Sequence, residues 1–400
     1  MVSAVLAPRT APGQERGAAA LDHLVNGLMV TSRVLVIAAH PDDEDTQLIA
    51  WLSRGRHVET AYLSLTRGDG GQNLIGNELG EALGAIRTQE LLAARRVDGG
   101  HQFFTRAYDF GFSKTAEETF KHWDHEEVLR DVVTVVRAFR PDVIVAVFSG
   151  TPSDGHGHHQ VSGIVAREAY DASADTVRFP VARYGPAWEA KKFYRGARFT
   201  GVRATLSVNV GEFNPVAGRS YAEIAGESRS QHRSQGFGVL QRRGVSMDAV
   251  SRQASRVNES TPAERETSLF DGIDTTLARF DAGLPSEGRR LLRDARVHAD
   301  SARVAFDFRR PDRAVTHLAA TASAIAAARA TFPACRPSME RGGPPSVSCS
   351  TAMLDADVAL EQMRERSADA LLEAAGVAVE ATAERELLAF GDSMPAAITV

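Results

Sequence analysis

Apolar runs along this chain are short and stop at polar clusters, with charged and apolar residues mixed at helical spacing between them. Residues 34–39 are an unbroken apolar run, the pattern of a strand buried on both faces. Residues 143–148 read the same way, and 58–65, with Glu59, Thr60 and Ser64 among its apolar residues, also reads as a strand. Between them, 43–55 reads as a helix ended by Gly55, and 81–97 as a helix with Leu83, Ile86, Leu91 and Leu92 among charges. A helix over 126–139 is stopped by Arg140-Pro141, and another covers 161–170. Such alternation predicts an α/β fold, a mainly parallel sheet with helices on both faces. Extended stretches at 192–195 and 204–210 and a helix over 221–233 continue it. Near residue 245 the character changes. Residues 264–330 and 354–390 are rich in Ala, Leu and Arg, with few β-branched runs, and predict a smaller all-α region. The expected organisation is a leader with a short helix (1–30), a main α/β domain (31–245) and a helical region (246–400), with no internal repeat.

Composition narrows the picture only a little. With 400 residues, 43% hydrophobic, the chain can bury one large core and a smaller one. A net charge of −5 argues against nucleic acid or an anionic membrane as the main partner. No stretch approaches the ~20 apolar residues of a membrane span. The first 16 residues mix Arg9, Glu15 and Arg16 with small residues and show no compact signal peptide, so a cytoplasmic chain is expected. The two cysteines, Cys335 and Cys349, flank a Pro/Gly/Ser-rich loop. They are either unrelated thiols or a disulfide staple, and a staple, or a shortened start, would mean export.

The chemistry sits where two apolar runs end. After the first comes His40-Pro-Asp-Asp-Glu-Asp45; after the second, Asp154-Gly-His-Gly-His-His159. Ligand sites in open α/β sheets lie at the carboxyl ends of strands. His40 and Asp43, three apart across the Pro41 turn, can both point inward as metal ligands. Asp43 also stands where a helix begins, so capping is its competing use. Asp42 beside them can accept the proton of an activated water. Glu44 and Asp45 are expected to face solvent or to orient ligands. His159 would be the third ligand, giving three protein ligands and an open position, the pattern of a catalytic zinc. His156 would stand off the metal and donate to a developing oxyanion or protonate a leaving amine. Asp154 can orient an imidazole or cap a turn.

The Ala39-His-Pro-Asp-Asp-Glu44 run with Gly155-His-Gly-His-His159 behind it resembles the PIG-L (LmbE-like) family of zinc-dependent N-acetylglucosaminyl deacetylases. The resemblance covers residues 30–245 and implies a Rossmann-like fold. It implies His40, Asp43 and His159 as zinc ligands, Asp42 as general base, and His156 as the oxyanion-stabilising or acid group. Leu65-Thr-Arg-Gly-Asp-Gly-Gly71 resembles the family's substrate loop, which points to Arg67 and Asp69. Arg87-Thr-Gln-Glu90 resembles its helix motif, with Arg87 toward substrate; an ordinary surface pair is the alternative. Ser230-Gln-His-Arg-Ser-Gln235 resembles a late helix carrying His and Gln toward the site, against a plain solvated face.

Two departures stand out. Gly157-His158 occupies a place where Pro-Asp is common in the family, and His158 can compete with His159 as ligand. The aromatic stretch 99–123, with Phe103, Phe104, Tyr108, Phe110, Phe112 and Trp123, is either a wall for an extended substrate or a packed insertion. The resemblance implies hydrolysis of the N-acetyl amide of an N-acetylglucosamine-type sugar or glycoconjugate. An amidase on a non-sugar or conjugated amide is the alternative, and a retired carbohydrate-binding domain a third reading. Zinc is the metal implied; the donor set also accepts Fe(II), Co(II) or Mn(II). The first strand ends without a G-x-G-x-x-G turn, which argues against a dinucleotide enzyme. Oligomeric state is left open.

Overall fold

The computed structural model describes residues 17–197, 202–238, 240–241, 243–257, 266–332, 349–385 and 391–399. Its centre is β1 (Arg33–Ala38), all six residues of which are buried. Alternate β1 side chains enter opposite cores. Leu35 and Ile37 pack with Val132, Val136, Val161 and Val165, whereas Val34, Val36 and Ala38 pack with Leu48, Ile49, Leu52 and Leu91. An apolar run without alternation is thus the pattern of a strand with helices on both faces.

β2 (Glu59–Ser64) and β3 (His101–Phe104) extend the sheet on one side of β1. β4 (Val143–Ala146), β5 (Lys192–Gly196) and β6 (Leu206–Asn209) belong to the other side. A small antiparallel ribbon, β7 (Phe213–Asn214) and β8 (Arg219–Ser220), precedes β9 (Met247–Ser255). Among the described residues the sheet has seven strands in the order β3-β2-β1-β4-β5-β9-β6. β3 to β5 pair in parallel through β1; β9 is antiparallel to both β5 and β6. The chain therefore leaves β1 toward one edge and returns to build the other half from β4. The cleft between the ends of β1 and β4 is the switch point at which such sheets hold ligands.

Helix α1 (Ala18–Gly27) lies before β1. After β1, α2 (Thr46–Ala50) runs into a wide turn, Trp51–Gly55, so the helix expected over 43–55 starts later. Its cap is Asp45, which accepts the Leu48 N–H at 3.1 Å, and not Asp43. α3 (Glu81–Asp98), α4 (Ala116–Thr119), α5 (His125–Phe139) and α6 (Gly157–Ala172) follow. The sheet passes the boundary expected at residue 245, because β9 lies between β5 and β6. Ser230 to Gln235 form a turn and a short 3-10 segment, not a helix.

The chain forms two compact units. The first holds the sheet and its helices, from residue 30 to 284, with 349–359 added from the described residues beyond. The second takes α1, the helices Ser286–Ala305 and Val315–Ala330, and the chain from 360 onward. Leu21, Val25, Ala299, Ala302, Leu318 and Ala370 form its small core. It also carries an antiparallel pair, Glu380–Ala383 with Ala396–Thr399, where an all-α region was expected. Of the two cysteines, Cys335 lies outside the described residues, and Cys349 is disulfide-bonded. Among the described residues no helix is long and apolar enough to cross a membrane.

Candidate active site

Both strand-end clusters reach the same cleft. His40, at the exit of β1, donates its backbone N–H to Asp43 Oδ2 at 2.7 Å, so the Pro41 turn folds the Asp43 carboxylate back onto His40. His40 Nδ1 lies 3.0 Å from the same oxygen. His159, from the first turn of α6, brings Nε2 to 3.4 Å from Asp43 Oδ1. One ligand atom each from His40, Asp43 and His159 lies within 4.8 Å of the others. His159 Nδ1 faces the backbone oxygen of Asp154 at 3.3 Å, which puts its proton on Nδ1 and turns the Nε2 lone pair to the cluster. Phe148 stacks flat on the His159 ring at 3.9 Å between centroids.

Electrostatics follow from this packing. Burial pushes the Asp43 carboxyl up, but His159 and His40 outweigh it and hold it well below the usual carboxylate range. Burial likewise works against a charged His159, yet Asp43 raises its pKa. Asp42 goes the other way: burial, opposed by Arg87 and reinforced by Asp43, raises its pKa to about 6. Arg87 donates to Asp42 Oδ1 at 2.9 Å and also to the Pro41 and Gly68 carbonyls. It is buried, and so is Glu90, which accepts from Ser234 N and Oγ. Neither is a surface pair.

His156 caps α6: its Nδ1 accepts the His158 N–H at 3.1 Å. The proton of neutral His156 is therefore on Nε2. Burial and the neighbouring His40 and His159 lower its pKa to about 4, so the ring is neutral near pH 7. The Asp154 carboxylate instead accepts from Ser149 and Gly150 and shapes the loop after β4.

Several contributors are legible in the sequence only as alternatives, or not at all. Glu44, expected to face solvent or to orient ligands, is buried, with His232 Nε2 at 2.6 Å and Arg95 Nη2 at 3.3 Å. Burial raises its pKa, but His232 and Arg95 more than reverse this and leave it well below the usual range. It also accepts the Asp42 N–H at 2.8 Å. His232 thus supports the floor of the site, whereas Gln235 donates to Gln72 O away from the cluster. Tyr62 donates to the His40 carbonyl at 2.6 Å. Asp109, a carboxylate amid the aromatic stretch, lies 4.0 Å from His40 Nε2 and 3.7 Å from His158 Nδ1. Arg67 and Asp69 go elsewhere. They line a cavity of about 660 Å³ with Thr88, Phe104, Arg106 and Asp131, and none of the clustered histidines borders it. Arg67 lies over the Phe104 ring, and Asp69 Oδ1 accepts the Asp109 N–H at 3.1 Å.

Residues 35–170 match the family model described as PIG-L, GlcNAc-PI de-N-acetylase. The mycothiol S-conjugate amidase of Streptomyces coelicolor is 26% identical over 180 residues, which cover 42% of this chain and 61% of that protein. The 1D-myo-inositol 2-acetamido-2-deoxy-alpha-D-glucopyranoside deacetylase of Geodermatophilus obscurus is 31% identical over 207 residues, 46% of this chain and 69% of its own length. The chain therefore spans about three-fifths to two-thirds of these curated relatives. Among solved structures, N,N'-diacetylchitobiose deacetylase from Pyrococcus horikoshii is 21% identical, covering 51% of this chain and 70% of that one at a TM-score of 0.39. With the deacetylase matched at 31% identity over more than two-thirds of its length, the chain belongs to the PIG-L family.

Proposed function

We propose that this chain is a divalent-metal hydrolase that cleaves the N-acetyl amide of an N-acetylglucosamine-type sugar or glycoconjugate, yielding acetate and a free amine. The observation that carries the reading is the convergence of His40, Asp43 and His159, with the raised carboxyl of Asp42 alongside. Two imidazoles and one carboxylate suit zinc with an open position, and the same donors accept Fe(II), Co(II) or Mn(II). A bound cation would polarise the amide carbonyl and bring the pKa of water down toward ~7. Asp42 takes the proton of the attacking water, a task for which a carboxylate of raised pKa is suited. His156 donates its Nε2–H to the carbonyl oxygen as negative charge develops there. Asp42 then returns its proton to the departing amine nitrogen. Arg87 keeps the Asp42 carboxylate aimed through the contact to Oδ1. The same machinery serves a conjugated amide. The similarity to an S-conjugate amidase and the exposed Phe112 ring, 5.0 Å from His156, support that second reading.

The test is metal content of the purified chain together with amine release from N-acetylglucosaminyl-inositol, N,N'-diacetylchitobiose and a sugar-linked thioether amide, with and without chelator. Chelator-sensitive release from the acetamido sugars is expected. Release from the thioether amide alone would favour the conjugate reading. Bound metal with no release from any of them would favour a binding protein.

A further inference from the structure

We infer that His158 is the positioning residue for His40: its Nδ1 accepts the Nε2–H of His40 and keeps His40 Nδ1 turned to the cation site. The inference rests on the reading of His40 as a ligand. An imidazole that offers Nδ1 to a cation carries its proton on Nε2 and needs an acceptor there. His40 Nδ1 faces Asp43 at 3.0 Å, and on the opposite side of the ring Nε2 lies 3.0 Å from His158 Nδ1. No closer acceptor for Nε2 is present among the described residues: the Asp109 oxygen stands at 4.0 Å, beyond hydrogen-bond reach. Asp109 supplies charge to the pair and not the acceptor. It is itself fixed, since its Oδ1 takes the Gly111 N–H at 2.9 Å.

The His158 ring is held for this task. Its side chain is 0% exposed, with Trp123 stacked on it at 4.4 Å and Phe110 edge-on at 4.4 Å. Its backbone N–H is tied to His156. With Nδ1 as acceptor the His158 proton must lie on Nε2, and that atom is buried with no hydrogen-bond partner among the described residues. A ring placed only for packing has no need to aim Nδ1 at a neighbouring imidazole nitrogen. In this reading the aromatic stretch has a second use: Trp123 and Phe110 clamp the ring that orients a ligand. It also separates His158 from His159. The first acts through His40, and the second faces Asp43 directly.

The experiment is a competitive titration with Zn²⁺ or Co²⁺ of the full chain and of H158N, H158Q and H158L, with stoichiometry measured on each. Asn places an oxygen where His158 has Nδ1; Gln places one nearer Nε2. H158L and H158Q are expected to bind ~10–100-fold more weakly than the parent, the usual cost of losing a partner of a ligating histidine. H158N is expected to keep most of the affinity. Histidine nitrogen NMR of the cation-loaded parent should show the His40 proton on Nε2. The asparagine–glutamine contrast compares two polar side chains, so it survives a general loosening of packing. Equal affinity in all four proteins would overturn the inference, and so would H158N as weak as H158L. Two cations per parent chain would also overturn it, because His40, His156 and His158 would then form a second ligand set. Full binding in H40A and D43A would overturn the reading of the site as well.

Discussion

Asp42 is held in a costly state twice over. Its φ is 99°, in the region that favours glycine, and its carboxyl is partly buried with a pKa raised to about 6. Glu44 fixes its N–H, Arg87 its side chain and Arg229 its carbonyl. A raised carboxyl favours the protonated form in the folded state, so its contribution to stability is present below the unfolded pKa near 3.8 and lost as pH rises through about 6. In metal-free protein at pH 7.5, Asp42→Asn should therefore raise stability by on the order of 2 kcal/mol, with the gain vanishing by pH 4. Turnover should fall ~10²–10⁴-fold. Denaturant unfolding at the two pH values and amine-release kinetics check both halves; a variant less stable at pH 7.5 would contradict the first. Arg87 lowers the Asp42 pKa, so Arg87→Gln should move the acid limb of the kcat–pH profile to higher pH. A limb that stays or moves down would remove Arg87 from this role. Asp42, Asp43 and His40 are legible in the sequence because they occupy one tight turn, and the His-x-x-His spacing brings His156 and His159 to one helix start. Asp109 is not legible, because only the packing of its loop against Asp69 brings it to the histidines. The burial of Glu44 is hidden for a different reason. Its neighbours in sequence are polar, and the buried partners that claim it, Arg95 and His232, lie in distant elements.

The start of α6 shows why the second motif departs from the Pro-Asp pattern. Gly157 donates its N–H to the Ser113 carbonyl at 2.9 Å, which proline cannot do. A Cβ at Gly157 would run into the Thr115 carbonyl and the Ser113 and Thr119 hydroxyls. The segment before α4 thus presses on the helix start and fixes where His156 and His158 point. Gly157→Ala should cost about 1–3 kcal/mol by overpacking and weaken cation binding with it. Thermal melts with and without Zn²⁺ read both, and a variant that melts and binds like the parent would mean the segment yields. At this scale the parallel half of the sheet was legible and the antiparallel edge was not. β1 and β4 are buried on both faces and leave apolar runs, and β2 is buried too but carries Thr60 and Ser64 among its apolar residues. β9 sets buried Asp248, Val250 and Ser251 among partly and fully exposed residues and contains no such run, so the composition changes just before it. β3 is four residues long, and its two phenylalanines merged with the aromatic stretch after it.

Across the whole molecule, the proposed ligands join parts of the chain that nothing local would hold together. His40 and Asp43 leave β1, and His159 comes from α6, after β2, β3, β4 and the four helices α2 to α5 in sequence. Only the folded first unit brings them within reach, so a cation held by all three stabilises that unit by mass action. At a free concentration ~100-fold above its dissociation constant the gain is ~2.7 kcal/mol. For a unit of this size that raises the melting temperature by roughly 5–10 °C. The carboxylate between the two imidazoles contributes most of the charge, so Asp43→Ala and His159→Ala should each abolish the shift. Arg67→Ala, at the separate cavity, should leave it intact. Calorimetry of the chelated and Zn²⁺-loaded chain and of these three variants decides the point. A shift that persists without Asp43 and His159 would put the cation elsewhere, and with it the chemistry assigned to Asp42. A shift lost in Arg67→Ala would join the 660 Å³ cavity to the cation site after all, through the Asp69–Asp109 contact between them.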